Sequence, residues 1–320
     1  MNASTIVGIA QVLFFVLMSA INGVFLSTFL AKTDVFSTLL CVFSIISIIF
    51  NIYILSRHGC QFLRFTRKIW LYIVCSNITT AANWFSFFLA VKYCEPAISA
   101  TLVNSVSPLA TICISVTLLG QRNRSTTEIW WAGSLCIAML VTAFVVFAGR
   151  SGRPANEIQV YAIGVSMSLL CGLSIALNTV VSKRLNDSGI SPSTIMTYRF
   201  FLLIALAGGL VDKQVLLENV RQFHWQIAFI AVVGNLIPLF SLQSGIKRLS
   251  PVTVVFLNGL SPLTFFVVQS ITGKFIFSVS SLCSVLFATV TILFGVYYSS
   301  RSSKRAAVES GSTRRERSSA

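Results

Sequence analysis

Charge is what this sequence has least of. Only 10% of its 320 residues are charged, 55% are hydrophobic, and mean hydropathy is +0.82. A soluble domain carries about 25% charged residues to cover its surface, so water is excluded as the main solvent. Acidic residues are the scarcer sign: 9 Asp and Glu stand against 24 Lys and Arg, for a net charge of +15. The excess does not indicate nucleic acid as a partner, because the basic residues stand in ones and twos between apolar runs, with one cluster at the C-terminus. No C-x-x-C occurs. Six of the eight cysteines (Cys41, Cys75, Cys113, Cys136, Cys171, Cys283) lie inside apolar runs, and Cys60 and Cys94 stand near run ends without a paired spacing. Small apolar filler is the reading, and no metal or cofactor is expected. No P-loop is present, so ATP is not the direct energy source. No basic segment precedes the first apolar run, Ile6 to Leu30, which is too long for a signal-peptide core and reads as a retained span.

What the chain does have is long apolar runs. A spanning helix needs about 20 mostly apolar residues, and that length gives ten candidates, at approximately 6–30, 35–55, 69–91, 96–119, 129–148, 159–181, 193–211, 225–245, 251–272 and 279–298. Period-2 alternation is missing, which argues against barrel strands. The fold class is an all-α polytopic membrane protein. With ten spans, sixteen basic residues (Arg57, Arg64, Arg67, Lys68, Arg122, Arg124, Lys183, Arg184, Lys247, Arg248, Arg301, Lys304, Arg305, Arg314, Arg315, Arg317) share the side of the two termini, and seven (Lys32, Lys92, Arg150, Arg153, Lys213, Arg221, Lys274) lie opposite. Both termini are therefore expected in the cytoplasm, in a cell membrane of which a bacterial inner membrane is the leading case. Residues 299–320, rich in Ser, Arg and Glu, read as a disordered basic tail that contacts anionic lipid.

The second half of the chain echoes the first at an offset of about 155 residues. Ala20-Ile21-Asn22-Gly23-Val24 matches Ala176-Leu177-Asn178-Thr179-Val180, Gly8 falls on Gly164, Ser37-Thr38 on Ser193-Thr194, Trp70 on Trp225, Phe85-Ser86 on Phe240-Ser241 and Lys92 on Lys247. Asn104-Ser105-Val106-Ser107-Pro108-Leu109 matches Asn258-Gly259-Leu260-Ser261-Pro262-Leu263. Matched Asn, Pro, Ser and Trp carry the argument, since polar side chains are costly in lipid. Each unit, 1–154 and 155–298, holds five spans. Five is odd, so the second copy enters the membrane from the opposite side. Two inverted five-helix repeats give facing bundles, and rocking one against the other opens a central site to either side.

These repeats, the Glu95-Pro96 and Ser250-Pro251 helix starts, the mid-helix Pro108 and Pro262, and Leu119-Gly120 followed by Trp131-x-Gly133 resemble EamA-type transporters of the drug/metabolite transporter superfamily, over about residues 6–298. Gln121 and Lys274 stand where the family usually has an acidic residue, and the second Trp-x-Gly is missing. The resemblance implies a membrane transporter, with amino acids or related compounds as the leading substrate class and some structural weight for an Arg near Arg199.

A proline inside a span frees a backbone carbonyl that lipid cannot satisfy. Pro108 and Pro262 each follow an Asn (Asn104, Asn258) by four residues and a Ser (Ser107, Ser261) by one. Asn and Pro at i and i+4 share a helix face. That face either lines the pathway or is a packed kink. Asn22 and Asn178 either bind substrate or hydrogen-bond between helices. Asn77, Asn83 and Trp84, with Thr79 and Thr80, enrich span 3, and Asn235, Pro238 and Gln243 enrich span 8; Trp84 either stacks on a ligand or packs. Arg199, after Tyr198, lies about seven residues into span 7. Its charge requires an anion, a polar partner or a snorkelling path to the interface.

No Asp, Glu or His lies centrally in any span. This disfavours a membrane-embedded enzyme, which needs a base, a carboxylate pair or metal ligands, and it disfavours proton coupling. The expected function is secondary transport of a small polar metabolite by exchange or facilitated diffusion, by a monomer or a homodimer. A channel-like facilitator and a carrier of a nucleoside-containing metabolite such as S-adenosylmethionine are the alternatives.

Overall fold

The computed structural model describes residues 3–58, 66–119, 126–153, 157–249 and 251–295. The proposed tail, and the basic residues Arg64, Arg122 and Arg124, lie outside them. All regular structure among the described residues is helical, as required of a chain that must satisfy its own backbone hydrogen bonds in lipid. In chain order the helices are α1 (Ala3–Phe29), α2 (Val35–His58), α3 (Arg67–Tyr93), α4 (Pro96–Leu119), α5 (Thr126–Phe147), α6 (Ile158–Asp187), α7 (Pro192–Tyr198), α8 (Phe201–Leu210), α9 (Lys213–Phe229), a π-helical segment (Ile230–Leu236), α10 (Ile237–Arg248), α11 (Pro251–Asn258), α12 (Ser261–Thr272) and α13 (Val279–Gly295). Among the described residues, seven stretches are long and apolar enough to cross a membrane, and shorter apolar helices cover Phe256–Thr272 and Val279–Gly295. Large apolar side chains such as Ile52, Leu71, Trp130, Leu140 and Phe144 face outward, the surface a bilayer covers. This is a multi-pass membrane protein.

Three expected spans are not single straight helices. The seventh breaks between α7 and α8 at Arg199 and Phe200. Its start is set by Ser191, whose Oγ accepts from Thr194 N at 3.2 Å, with Pro192 in the first turn. The eighth starts twelve residues earlier than expected, as an exposed segment capped by Asp212, kinks at Phe223, and widens into the π turn before Pro238. A proline supplies no N–H, so a widened turn there is a natural accommodation. The ninth breaks at Gly259 and Leu260, which places Pro262 in the first turn of α12, where it is tolerated, instead of in mid-helix.

Packing between the halves is reciprocal. α3 lies along α6, and α10 lies along α1; α4 packs on α6, and α11 and α12 pack on α1. Single residues repeat the exchange. A Cβ on Gly8 would meet Leu249 and one on Gly164 would meet Cys94, and Leu249 and Cys94 are themselves about one repeat apart. Ser27, near the end of α1, donates to Val91 O near the end of α3 (2.5 Å), and the start of α6 packs at that same end. Thus α1 finishes where α6 begins. The largest apolar cluster joins α1, α2, α3 and α8 to the π segment. At its centre Phe43 is fully buried, with ring centroids 4.8 Å from Trp84 and 5.2 Å from Phe200.

Candidate functional site

Between the halves lies a cavity with about 130 Å³ of space for the centres of water-sized spheres, room for on the order of ten waters. Its wall brings together Asn22, Asn83, Trp84, Asn104, Asn178, Arg199, Asn235, Gln243, Asn258 and Ser261 from the expected site, with Pro238. Phe15, Phe87, Leu242 and Phe265 supply apolar wall, and Ser19, Thr179 and Ser182 add hydroxyls that sequence reasoning left out. Ser182 had a signal: it lies four residues after Asn178, hence on the same face.

One side of the wall is a polar chain. Ser182 Oγ donates to Asn178 Oδ1 (3.3 Å), Asn178 Nδ2 donates to Thr80 Oγ1 (3.2 Å), and Arg199 Nε donates to the same Oγ1 (3.1 Å). Arg199 is 6% exposed, lies 3.8 Å from Met196 Sδ through one terminal nitrogen, and has its guanidinium carbon 5.5 Å from the Phe200 ring centroid. Among the described residues no carboxylate pairs with it, and it is the one charged side chain among the described residues lining the cavity. Arg199 stands at the helix break itself, between α7 and α8.

Other cavity groups lack partners. Asn22 Oδ1, Trp84 Nε1, Gln243 Nε2 and Asn258 Oδ1 are buried and make no hydrogen bond within the protein. A buried polar atom in that condition costs about 1–3 kcal/mol, and four of them around one cavity form a set of donors and acceptors ready for water or a polar solute. Asn104 Nδ2 donates to Ala100 O (2.8 Å), Asn235 Nδ2 to Ile230 O (2.8 Å) across the π turn, and Asn83 Oδ1 accepts from Cys171 Sγ (3.2 Å). Asn22 sits directly against Gly234, where any Cβ would overlap its amide.

Asn77, Ser107, Tyr198, Pro108 and Pro262 are not among the residues lining the cavity. Asn77 clamps the break in span 7, donating to Tyr198 O (2.7 Å) and accepting from Leu202 N (3.1 Å); two backbone groups that the break would leave unpaired are thereby satisfied. Ser107 Oγ donates to Gly172 O of α6 (2.9 Å). Tyr198 packs on Trp70 and Phe201, away from the cavity. Pro108 and Pro262 are buried in protein. The two asparagines of the Asn-Pro pairs reach the cavity and the prolines do not.

Sequence reasoning also missed a buried polar cluster where the two halves are joined. Glu95, read as a helix-end residue, is 1% exposed. Its carboxylate accepts from Gly152 N (2.6 Å), Ser281 Oγ (2.8 Å) and Gln269 Nε2. Gln269 Oε1 in turn accepts from Ala97 N (3.2 Å). Beside it Arg153, from the segment that joins the two halves, donates to Ser27 Oγ (2.6 Å), Val91 O (3.1 Å) and Lys92 O. Burial lowers the Arg153 pKa, and the neighbouring Cys94 and Glu95 oppose that shift. The signal available was Gln269, an amide inside an apolar run. At the other end the lining continues through Ser182, Ile246 and Val254, close to the finish of α6 and α10 and the start of α11.

Residues 162–297 match the model of the EamA-like transporter family, which belongs to the drug/metabolite transporter superfamily. No curated protein matches the chain. A crystal structure of a protein is similar at a TM-score of 0.59 and 17% identity, with 95% of this chain and 98% of that one covered; at that identity the likeness shows the fold alone.

Proposed function

Because the chain carries an EamA-like transporter unit over residues 162–297, within a superfamily of membrane transporters, we propose that the whole protein is a secondary carrier of ten spans. In this reading residues 1–154 and 155–298 are inverted five-helix repeats, and the substrate binds in the cavity between them. The observation that carries it is the reciprocal packing of α3 on α6 and of α10 on α1 around a cavity whose lining includes asparagines from both halves. A site on such an axis is opened to either side by rocking one half against the other. The α7–α8 break, the π turn and the α11–α12 break all border it, and these are the places where helix pairs can flex.

The substrate is a small polar metabolite, and both termini lie in the cytoplasm. Exchange or facilitated diffusion suits this wall better than proton coupling, since the described lining carries no carboxylate or histidine. The test is a thermal-shift screen of the detergent-purified protein against amino acids, nucleosides, S-adenosylmethionine and organic anions, followed by counterflow in proteoliposomes for each hit. Saturable counterflow that is lost in Asn104→Ala supports the reading. Non-saturable flux, or uphill uptake driven by a pH gradient alone, contradicts it.

A further inference from the structure

We infer that the cavity selects a monoanion, one carboxylate or equivalent oxyanion on a compact, partly apolar body, and disfavours zwitterions and cations. The inference rests on the cavity's being the binding site and narrows what it binds. Arg199 places one fixed positive charge in a wall that, among the described residues, holds no negative one. Thr80 Oγ1 takes one guanidinium donor and Met196 Sδ takes a weak one, which leaves the strong, forked pairing that guanidinium offers an oxyanion unmade. A buried ion without a counter-ion is a large cost, and an arriving anion removes it. Two unpartnered donors, Trp84 Nε1 and Gln243 Nε2, line the same cavity and supply further hydrogen bonds to an oxyanion.

The rest of the wall discriminates against a positive charge. An ammonium group would find only neutral amide oxygens such as Asn22 Oδ1 and Asn258 Oδ1, while repelled by Arg199 across a cavity of low dielectric. Phe87, Phe265 and the Trp84 ring take an apolar body. Loading brings the site to zero net charge, and emptying it exposes a bare buried cation. The loaded form is then the one that reorients readily, so transport runs as electroneutral exchange of one monoanion for another.

The test uses the full chain in detergent and four probes on one skeleton: 3-phenylpropionate, its neutral amide, phenylalanine and phenethylamine. Melting temperature is expected to rise by about 5 °C with saturating 3-phenylpropionate. The apparent Kd for phenylalanine should be at least about tenfold weaker, and phenethylamine should give no shift. Arg199→Gln should abolish the preference for acid over amide, and Arg199→Lys should keep part of it. In the unmodified protein 3-phenylpropionate should slow phenylglyoxal modification of Arg199 about tenfold while the amide does not, a readout that holds if Arg199 variants fail to fold. Equal shifts for acid and amide that vanish in Asn258→Ala overturn the anion assignment and leave the cavity as the site. No shift with any probe, or an acid-specific shift indifferent to both Arg199 and Asn258, overturns the anion assignment and counts against the cavity as well.

Discussion

At the end of the cavity where the two halves are joined, Glu95, Gln269, Ser27 and Ser281 are all nearly inaccessible and are bonded to one another, to Arg153 or to backbone. At the opposite end, near the finish of α6, Lys183 forms a solvated i,i+4 pair with Asp187 at 3.2 Å. The side-chain chemistry of the two ends differs. One end carries a buried ionic and amide cluster, and the other has no such cluster among its described residues.

Removing the carboxylate from the cluster tests this contrast hardest. Glu95→Ala strands the Gly152 N–H, the Gln269 amide and the Ser281 hydroxyl beside the Arg153 cation, and should destabilise the protein by about 3–5 kcal/mol in a reversible denaturant titration. Glu95→Gln, which keeps acceptor capacity, should cost clearly less. Cys94 lies next to this cluster with its thiol pushed up to about 12 by burial, against the opposing pull of Arg153, so it is unreactive near neutral pH; Arg153→Ala removes that pull, and only by exposing Cys94 to solvent should it raise labelling by maleimide, by at least about tenfold, measured by mass spectrometry.

A second contrast separates asparagines that serve the fold from those that serve the cavity. Asn77→Ala frees both Tyr198 O and Leu202 N and should cost about 2–3 kcal/mol. Asn258→Ala removes an unpartnered acceptor and should cost under about 1 kcal/mol while changing ligand response. Glycines give a smaller step: Gly234→Ala forces a Cβ onto the Asn22 amide and should cost about 1–3 kcal/mol, whereas Gly133→Ala, with open space around it, should stabilise helix α5 by about 0.5–1 kcal/mol. Least of all, Lys183→Ala should change stability by no more than about 0.5 kcal/mol.

The helical, membrane-spanning nature of the chain was legible in its apolar runs, and the Asn and Pro inside those runs stood out because they are costly in lipid. The same cost marked Asn22, Asn104, Asn178 and Asn258, all of which line the cavity. What a polar residue is satisfied by was not legible. Asn77 and Ser107 carry the same chemistry as the cavity residues and spend it on backbone carbonyls of another helix. Glu95 stood at a helix start, where a carboxylate usually meets water, and its partners are 57, 174 and 186 residues away. Helix breaks at Arg199 and Gly259 also escaped notice, since span-length averaging smooths over two-residue interruptions.

The central claim is that one cavity, between two halves that run in opposite senses, is open to one side at a time. In a background with the eight native cysteines replaced, Asn258→Cys should be labelled by a membrane-impermeant maleimide from the side where α6 and α10 finish, and from the linker side only after Arg153→Ala is added. Labelling at equal rates from both sides while Arg153 is intact, or from neither side in any background, would contradict the account.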